Sequence, residues 1–133
     1  MDAAHLDSIP LFASLSAKER KQLAMWMDVV DLPAGRQLTA QGVLAYEFLV
    51  IKEGSAEVTQ EGRHLRELGP GDYLGEIGLL DAERRRSATV VTTSPTTALV
   101  LAGPQFRAMM QEMPAVAQQV RETIRARLDT ADR

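Results

Sequence analysis

The sequence predicts a single, mainly β domain, a sandwich or barrel with one helix before the strands and two helices after them. Three observations support this prediction. Short apolar and β-branched runs alternate with glycine and proline turns through residues 29–101, which is typical of sandwiches and barrels. A helix-capping pattern precedes these runs, and an apolar stripe at helical spacing follows them. A chain of 133 residues is most simply one domain.

The first helix is predicted from residues 16–19, Ser-Ala-Lys-Glu, in which a glutamate follows a serine by three residues. In such a capping box, the serine hydroxyl and the glutamate carboxylate each accept a backbone N–H at the start of a helix. We expect the helix to run to about Met27. Leu23, Ala24 and Met27 then share one of its faces.

The strands are predicted from apolar runs that end at turn residues. Pro33 and Gly35 separate the first two runs, since neither residue suits the interior of a strand. Glu61-Gly62 and Gly69–Asp72 have the composition of tight turns between strands. The predicted runs are 29–32, 36–39, 46–51, 55–60, 63–68, 87–93 and 96–101.

Two helices are predicted after the strands, because Pro104 and Pro114 each suit the first turn of a helix. The last helix carries one apolar stripe, which we expect to pack on the barrel. As an alternative, the stripe forms half of a dimer seam. The stripe consists of Met113, Val116, Ala117, Val120, Ile124 and Leu128.

Composition and charge exclude several classes of protein. The chain has no cysteine, which rules out a disulfide framework and an iron–sulfur centre and fits a reducing cytoplasm. Its net charge of −3 does not support binding of nucleic acid through bulk charge. No apolar run approaches the ~20 residues of a membrane helix, and no signal peptide is visible. We therefore expect a cytoplasmic protein.

The strongest functional signal lies in residues 69–90. Gly75 lets the backbone approach a ligand closely, and a helical turn beginning at Glu76 would present free N–H groups to an anion. Arg86 supplies a charged, planar fork for phosphate oxygens. The carboxylate of Glu76 is able to accept a hydrogen bond from a sugar hydroxyl. Together these residues predict the capture of one phosphate attached to one ribose.

This segment resembles the phosphate-binding cassette of the cyclic-nucleotide-binding domain family, and its loop length matches the catabolite-activator-like branch. The order of elements also matches, so the resemblance covers about residues 9–129 of a single domain spanning 1–133. It implies a double-stranded β-helix, or jelly-roll barrel, with an N-terminal helix and two C-terminal helices. It further implies a regulatory domain that is not an enzyme, binds a cyclic nucleotide and signals through its C-terminal helices.

The resemblance also implies roles for individual residues. Glu76 bonds the ribose hydroxyl, Arg86 pairs with the cyclic phosphate, and Thr130 is the candidate lid over the base. Gly54 matches a turn between barrel strands and is interpreted as purely structural. Leu74 replaces the aromatic residue usual before Gly-Glu. The remaining ligand-binding positions are Gly75, Ile77, Gly78, Leu79, Ser87 and Ala88, while Val58, Leu65 and Leu68 form either a wall for the base or plain core.

Ser87 bears on the choice of ligand. In the family, threonine at this position accompanies cyclic GMP and alanine accompanies cyclic AMP, whereas serine occurs in the branch that uses cyclic AMP. We therefore expect cyclic AMP in preference to cyclic GMP, with no other cofactor. The expected partners are the cyclic nucleotide and either a second copy, through the last helix, or an effector domain on a partner or a longer chain.

Two alternatives remain at this point. In the first, the barrel no longer binds nucleotide and serves as a dimerisation or docking module; the presence of both Glu76 and Arg86 argues against it. In the second, the chain is a metal enzyme of the cupin type, which shares the jelly-roll architecture. Only His5 and His64 are available as imidazole ligands, and we expect His5 to lie in a terminal tail.

Overall fold

The structure is a computed structural model that describes residues 1–39, 47–75 and 88–131. Within these residues it contains eight strands, three α-helices and two short 3-10 helices. The 3-10 helices are Ala3–Leu6 and Pro10–Phe12, and the α-helices are α1 (Ala17–Trp26), α2 (Gly103–Glu112) and α3 (Pro114–Ala131). The strands are β1 (Asp28–Leu32), β2 (Gln37–Thr39), β3 (Glu47–Glu53), β4 (Ala56–Gln60), β5 (Arg63–Leu68), β6 (Tyr73–Leu74), β7 (Thr89–Thr92) and β8 (Thr96–Ala102).

The strands form two four-stranded antiparallel sheets, with the orders β1-β8-β3-β6 and β2-β7-β4-β5. β1 pairs with β8, β2 with β7, β3 with β6 and β4 with β5, as in one long hairpin wound into a barrel. This nested pairing is the jelly roll. The prediction of a mainly β jelly-roll barrel with an N-terminal helix and two C-terminal helices is confirmed.

In the sheet β1-β8-β3-β6, strands β3, β6 and β8 bury side chains on both faces, since successive side chains of a strand point to opposite sides. Phe48 and Val50 of β3 point to one side, whereas Leu49 and Ile51 point to the other. The helix-side core comprises Phe48, Val50, Tyr73, Leu99 and Leu101 of this sheet with buried residues of the N-terminal segment and all three helices. The barrel core lies between the sheets and comprises Leu49, Ile51, Ala56, Val58, Leu68, Leu74, Val90 and Ala98.

Helix α1 begins at the predicted capping box. The backbone N–H of Glu19 donates to Oγ of Ser16 over 3.1 Å, and the N–H of Ser16 donates to Oε1 of Glu19 over 2.9 Å. The helix ends at Trp26, one residue earlier than predicted. Its predicted apolar face is confirmed, since Leu23 and Met27 are buried in the helix-side core.

The apolar stripe of α3 packs on the barrel, as predicted. Its first four members are buried in the helix-side core, and Ile124 packs partly against the same core. Because these side chains are covered by their own chain, the segment 113–120 serves the fold of one molecule rather than a dimer seam. The side chain of Leu128 lies outside the described residues. The four buried members are Met113, Val116, Ala117 and Val120.

The N-terminal segment is ordered and is not the terminal tail predicted for His5 from the sequence. Leu6 is fully buried, and the ammonium group of Met1 donates to the carbonyl of Ala24 over 2.8 Å. Nζ of Lys52 lies 2.7 Å from Nδ1 of His5, within hydrogen-bonding distance. The expectation was wrong because the apolar side chains that follow His5 are removed from water when they pack in the helix-side core. This burial holds the N-terminal segment in place.

Gly54 occupies a turn that excludes a side chain. Its φ is +101°, a conformation that L residues rarely adopt. A Cβ atom at this position would lie 2.5 Å from Oγ1 of Thr96 and 2.6 Å from the carbonyl oxygen of Pro95. Gly62, in the β4–β5 hairpin, also has a positive φ of +77°, but no atom lies within 4 Å of its potential Cβ.

We expect Gly54→Ala to destabilise the protein much more than Gly62→Ala. Both substitutions strain a left-handed backbone, by about 1–2 kcal/mol. Only Gly54→Ala adds overlap with neighbouring atoms, which costs a further ~1–3 kcal/mol. Urea unfolding of the two variants measures this difference. Equal losses in the free energy of unfolding would show that the contact with Pro95 and Thr96 relaxes without cost.

Candidate functional site

The predicted phosphate-binding segment, residues 75–88, connects the two sheets. Gly75 follows β6 in one sheet, and Ala88 precedes β7 in the other. Gly75 has a φ of +96°, which favours glycine, and Ala88 packs partly against the barrel core. The ends of the segment are therefore held by the barrel. The predicted residues Glu76, Ile77, Gly78, Leu79, Arg86 and Ser87 lie outside the described residues.

The turn at residues 69–72 holds the start of β6 in place. The carboxylate of Asp72 accepts the N–H of Gly69 over 2.8 Å, and the N–H of Asp72 donates to the carbonyl of Gly69 over 3.0 Å. Backbone bonds of 2.8 Å join Ile51 of β3 to both Gly71 and Asp72. Because this turn is tied to the central strand, the approach of the chain to Gly75 is well defined.

A cavity of about 370 Å³, largely open to solvent, lies between β5, this turn and α3. Its volume falls in the range of small-molecule sites in proteins, roughly 300–1,000 Å³. The lining combines aliphatic walls with charged and hydroxyl groups, as expected of a site that accepts a partly polar ligand. The lining residues are Leu65, Arg66, Glu67, Leu68 and Asp72 from the barrel, and Thr123 and Ala126 from α3.

A β-bulge shapes the barrel side of this cavity. Val58 pairs with Arg66 and Thr59 pairs with His64, so Leu65 is an extra residue in β5. Bulges interrupt the strict alternation of side chains and re-aim them. Consecutive residues Leu65 and Arg66 are accordingly both half-buried, and both line the cavity.

The residues predicted as a base wall occupy different positions. Leu65 and Leu68 line the cavity, whereas Val58 is only 1% exposed in the barrel core and is not among the lining residues. Thr130 falls in the last turn of α3, and its side chain lies outside what the structure describes. The roles of these residues in holding a base stay predictions.

Sequence reasoning missed several residues of the cavity. Arg66 was placed in a strand without a role, and it lines the cavity beside the bulge opposite Val58. Thr123 and Ala126 lie beside the apolar stripe of the last helix. Their positions relative to Val120 could have indicated a second face of the helix beside the apolar stripe. No pattern in the sequence shows that this face lies opposite β5.

A polar contact joins β6 to α3, and we call it the β6–α3 clasp: Tyr73, Gln119 and Thr123. The hydroxyl of Tyr73 donates to the carbonyl of Gln119 over 3.3 Å and is also hydrogen-bonded to Oγ1 of Thr123. The Tyr73 ring packs on Phe48 with centroids 5.5 Å apart, and Phe48 packs on Phe106 at 4.8 Å. The aromatic rings thus hold the hydroxyl in position against the helix.

No metal centre is found in the described ranges, where no group of three or more His, Cys, Asp or Glu side chains could hold a metal ion. His64 lies 3.8 Å from Glu57 in an exposed pair. No helix in the described part of the chain combines the length and the hydropathy needed to cross a membrane.

Known proteins share both the sequence pattern and the fold. The sequence model of the cyclic nucleotide-binding domain matches residues 29–113. The chain is 30% identical, over 112 residues, to a cAMP-dependent protein kinase regulatory subunit from Aspergillus niger, a match that covers 83% of this chain and 27% of the relative.

Two solved structures extend the comparison. The catabolite activator protein of Thermus thermophilus has a TM-score of 0.78 at 30% identity, over 92% of this chain and 60% of that one. The regulatory subunit of a cAMP-independent protein kinase A from Trypanosoma brucei has a TM-score of 0.79 at 24% identity, over 90% and 43%, which indicates a shared fold.

This chain thus spans less than two thirds of each of these three proteins. The matched range 29–113 contains the whole of the predicted phosphate-binding segment and both sheets except for the start of β1. The nested jelly roll, the position of residues 75–88 between its sheets and the sequence match agree. The chain belongs to the cyclic nucleotide-binding domain family.

Proposed function

We propose that this chain is a regulatory domain that binds cyclic AMP, in preference to cyclic GMP, and acts by binding rather than by catalysis. One observation carries the proposal: a cavity of about 370 Å³ adjoins the turn and strand that lead directly into residues 75–88. Those residues supply Glu76 for a ribose hydroxyl and Arg86 for a phosphate, so phosphate and base would occupy neighbouring sites.

The cavity suits the base of such a ligand. Leu65 and Leu68 offer apolar contact to a purine ring, while Thr123 and Ala126 of α3 lie across from them. A planar, weakly polar group fits between aliphatic walls, and hydrogen bonds at its edge supply specificity. Because one wall belongs to α3, occupancy of the cavity would alter the environment of that helix.

The preference for cyclic AMP rests on Ser87 and on similarity. The Aspergillus relative is named for its dependence on cyclic AMP, and the Thermus relative is a catabolite activator. Intracellular cyclic nucleotide as the ligand implies a cytoplasmic location. The output would come from an effector domain on a partner or on a longer chain, reached through the C-terminal helices.

The competing proposal is a barrel that does not respond to cyclic nucleotide and serves as a docking module. The trypanosome regulatory subunit supports keeping it, since it has the same fold and belongs to a protein kinase A that is named as cAMP-independent. Isothermal titration of the whole chain with cyclic AMP and with cyclic GMP distinguishes the two. Saturable binding of cyclic AMP, tighter than that of cyclic GMP, is expected; absence of binding to both favours docking.

We expect Arg86→Ala to remove most of the affinity for cyclic AMP without unfolding the chain. Truncating one partner of a buried, hydrogen-bonded charge pair costs about 2–5 kcal/mol, or roughly 30-fold to several-thousand-fold in the dissociation constant. Arg84→Ala is the matched control, with a change of a few-fold at most from screened charge. A larger effect at Arg84 than at Arg86 would place the phosphate contact two residues earlier.

Glu76→Gln is expected to weaken binding of cyclic AMP while largely sparing 2′-deoxy cyclic AMP. A hydrogen bond to a charged group contributes about 1.5–3 kcal/mol, and the deoxy ligand has no 2′-hydroxyl to form it. Titration of the wild-type chain and of Glu76→Gln with both ligands gives the coupling between carboxylate and hydroxyl. Equal losses for the two ligands would contradict this role of Glu76.

Val58→Ala and Leu65→Ala test whether each residue contributes to the barrel core or to the wall of the cavity. Val58 is buried, so its truncation should lower the free energy of unfolding by about 2 kcal/mol, from lost apolar burial and a new cavity. Leu65 is half-buried beside the cavity, so its truncation should weaken cyclic AMP binding several-fold with a smaller loss of stability. Urea unfolding and calorimetric titration measure the two effects. If Leu65→Ala leaves the affinity unchanged, the base does not occupy this cavity.

A further inference from the structure

We propose that the β6–α3 clasp transmits ligand binding to the second half of α3, with Tyr73 as the positioning residue. This inference rests on the proposed function, because it concerns how an occupied site would change the helix. The contact joins two elements that are about fifty residues apart in sequence. Of the two, β6 leads into the phosphate-binding segment and α3 forms one wall of the cavity.

Tyr73 lies between the two parts of the site. Asp72, the residue before it, lines the cavity, and Gly75, two residues after it, begins the phosphate-binding segment. Tyr73 is 8% exposed and its ring packs on Phe48, so the ring cannot reorient without disturbing the helix-side core. A shift of the strand around Gly75 would therefore move the tyrosine hydroxyl relative to α3.

Thr123 belongs to the clasp and to the cavity at once. A threonine hydroxyl has one proton to donate and two lone pairs. A base that formed a hydrogen bond with Thr123 would compete with, or redirect, its bond to Tyr73. Both the phosphate end and the base end of a ligand would thus act on the same contact.

The clasp also lies at the point where α3 passes from a part with several buried side chains to a part whose side chains are mostly exposed. From Met113, the residue just before α3, to Val120, the chain buries four side chains in the helix-side core. From Arg121 to Ala126 the side chains are exposed, apart from the half-buried Thr123 and Ile124. Because few apolar contacts hold this second part, one or two hydrogen bonds make up a large share of its local stability.

Amide hydrogen exchange of the whole chain, with and without saturating cyclic AMP, tests the proposal. Tyr73→Phe removes the hydroxyl and keeps the ring, and Thr123→Val removes the other hydroxyl at nearly constant volume. In the free protein each variant should accelerate exchange at residues 121–126 by roughly 2- to 12-fold, the equivalent of about 0.5–1.5 kcal/mol for one neutral hydrogen bond. Residues 113–120 should be little affected.

The decisive readout is the change that cyclic AMP induces in residues 121–126. We expect it in the wild-type chain and expect it to be largely lost in Tyr73→Phe, while residues 75–88 still become protected. Thr123→Val should lose it as well, at a cyclic AMP concentration raised to saturate this variant, because Thr123 also lines the cavity. Thr123→Ser, which retains a hydroxyl, should preserve it. Thr97→Val is the matched control, because it removes a threonine hydrogen bond to Asp31 of 2.9 Å on a different surface.

The outcomes separate this inference from the proposed function. If the wild-type chain binds cyclic AMP and the response of residues 121–126 survives in both variants, the clasp is only structural and the inference is wrong. If binding occurs with no response in α3, the inference is again wrong, although the proposed function stands. If the wild-type chain binds no cyclic nucleotide, the proposed function fails and the inference fails with it. Thermal unfolding of both variants identifies any general loss of structure.

Discussion

The sheet β1-β8-β3-β6 separates two hydrophobic cores, and the rest of the structure depends on the alternation of its side chains. In β3, Phe48 and Val50 face the helices while Leu49 and Ile51 face the other sheet. β8 divides in the same way, with Leu99 on the helix side. Since the side-chain period is two residues, a slip of one residue would exchange the two cores. The helices and the second sheet therefore select one register together.

β6 is the shortest strand that follows this alternation, and it is the strand that leads into the predicted site. Its two residues divide between the cores, with Tyr73 on the helix side and Leu74 in the barrel. The left-handed backbone of Gly75 follows directly, at the start of the predicted phosphate-binding segment. A strand of two residues has few ladder bonds of its own, so side-chain packing on both faces and the turn at residues 69–72 hold it in place.

The cavity is assembled from parts of the chain that are distant in sequence. β5 and the following turn form one side, while Thr123 and Ala126 of α3 form the other. An element that forms one wall and is firmly packed only over its first half is able to change its local stability without unfolding the barrel. This division agrees with the proposed function, in which a rigid scaffold would position the ligand and a less stable element would respond.

The sequence by itself determined the fold class, the capping box of α1, the apolar stripe of α3 and the family, because these depend on local periodicity and on residue types at fixed spacing. It also identified Gly54 as structural and Leu65 and Leu68 as candidates for a wall. The tertiary structure alone decided that Leu6 anchors the N-terminus and that Val58 belongs to the barrel core. It likewise decided the bulge in β5, the cavity and the clasp, because strand register and helix docking arise from contacts between distant residues, which no local pattern of the sequence encodes.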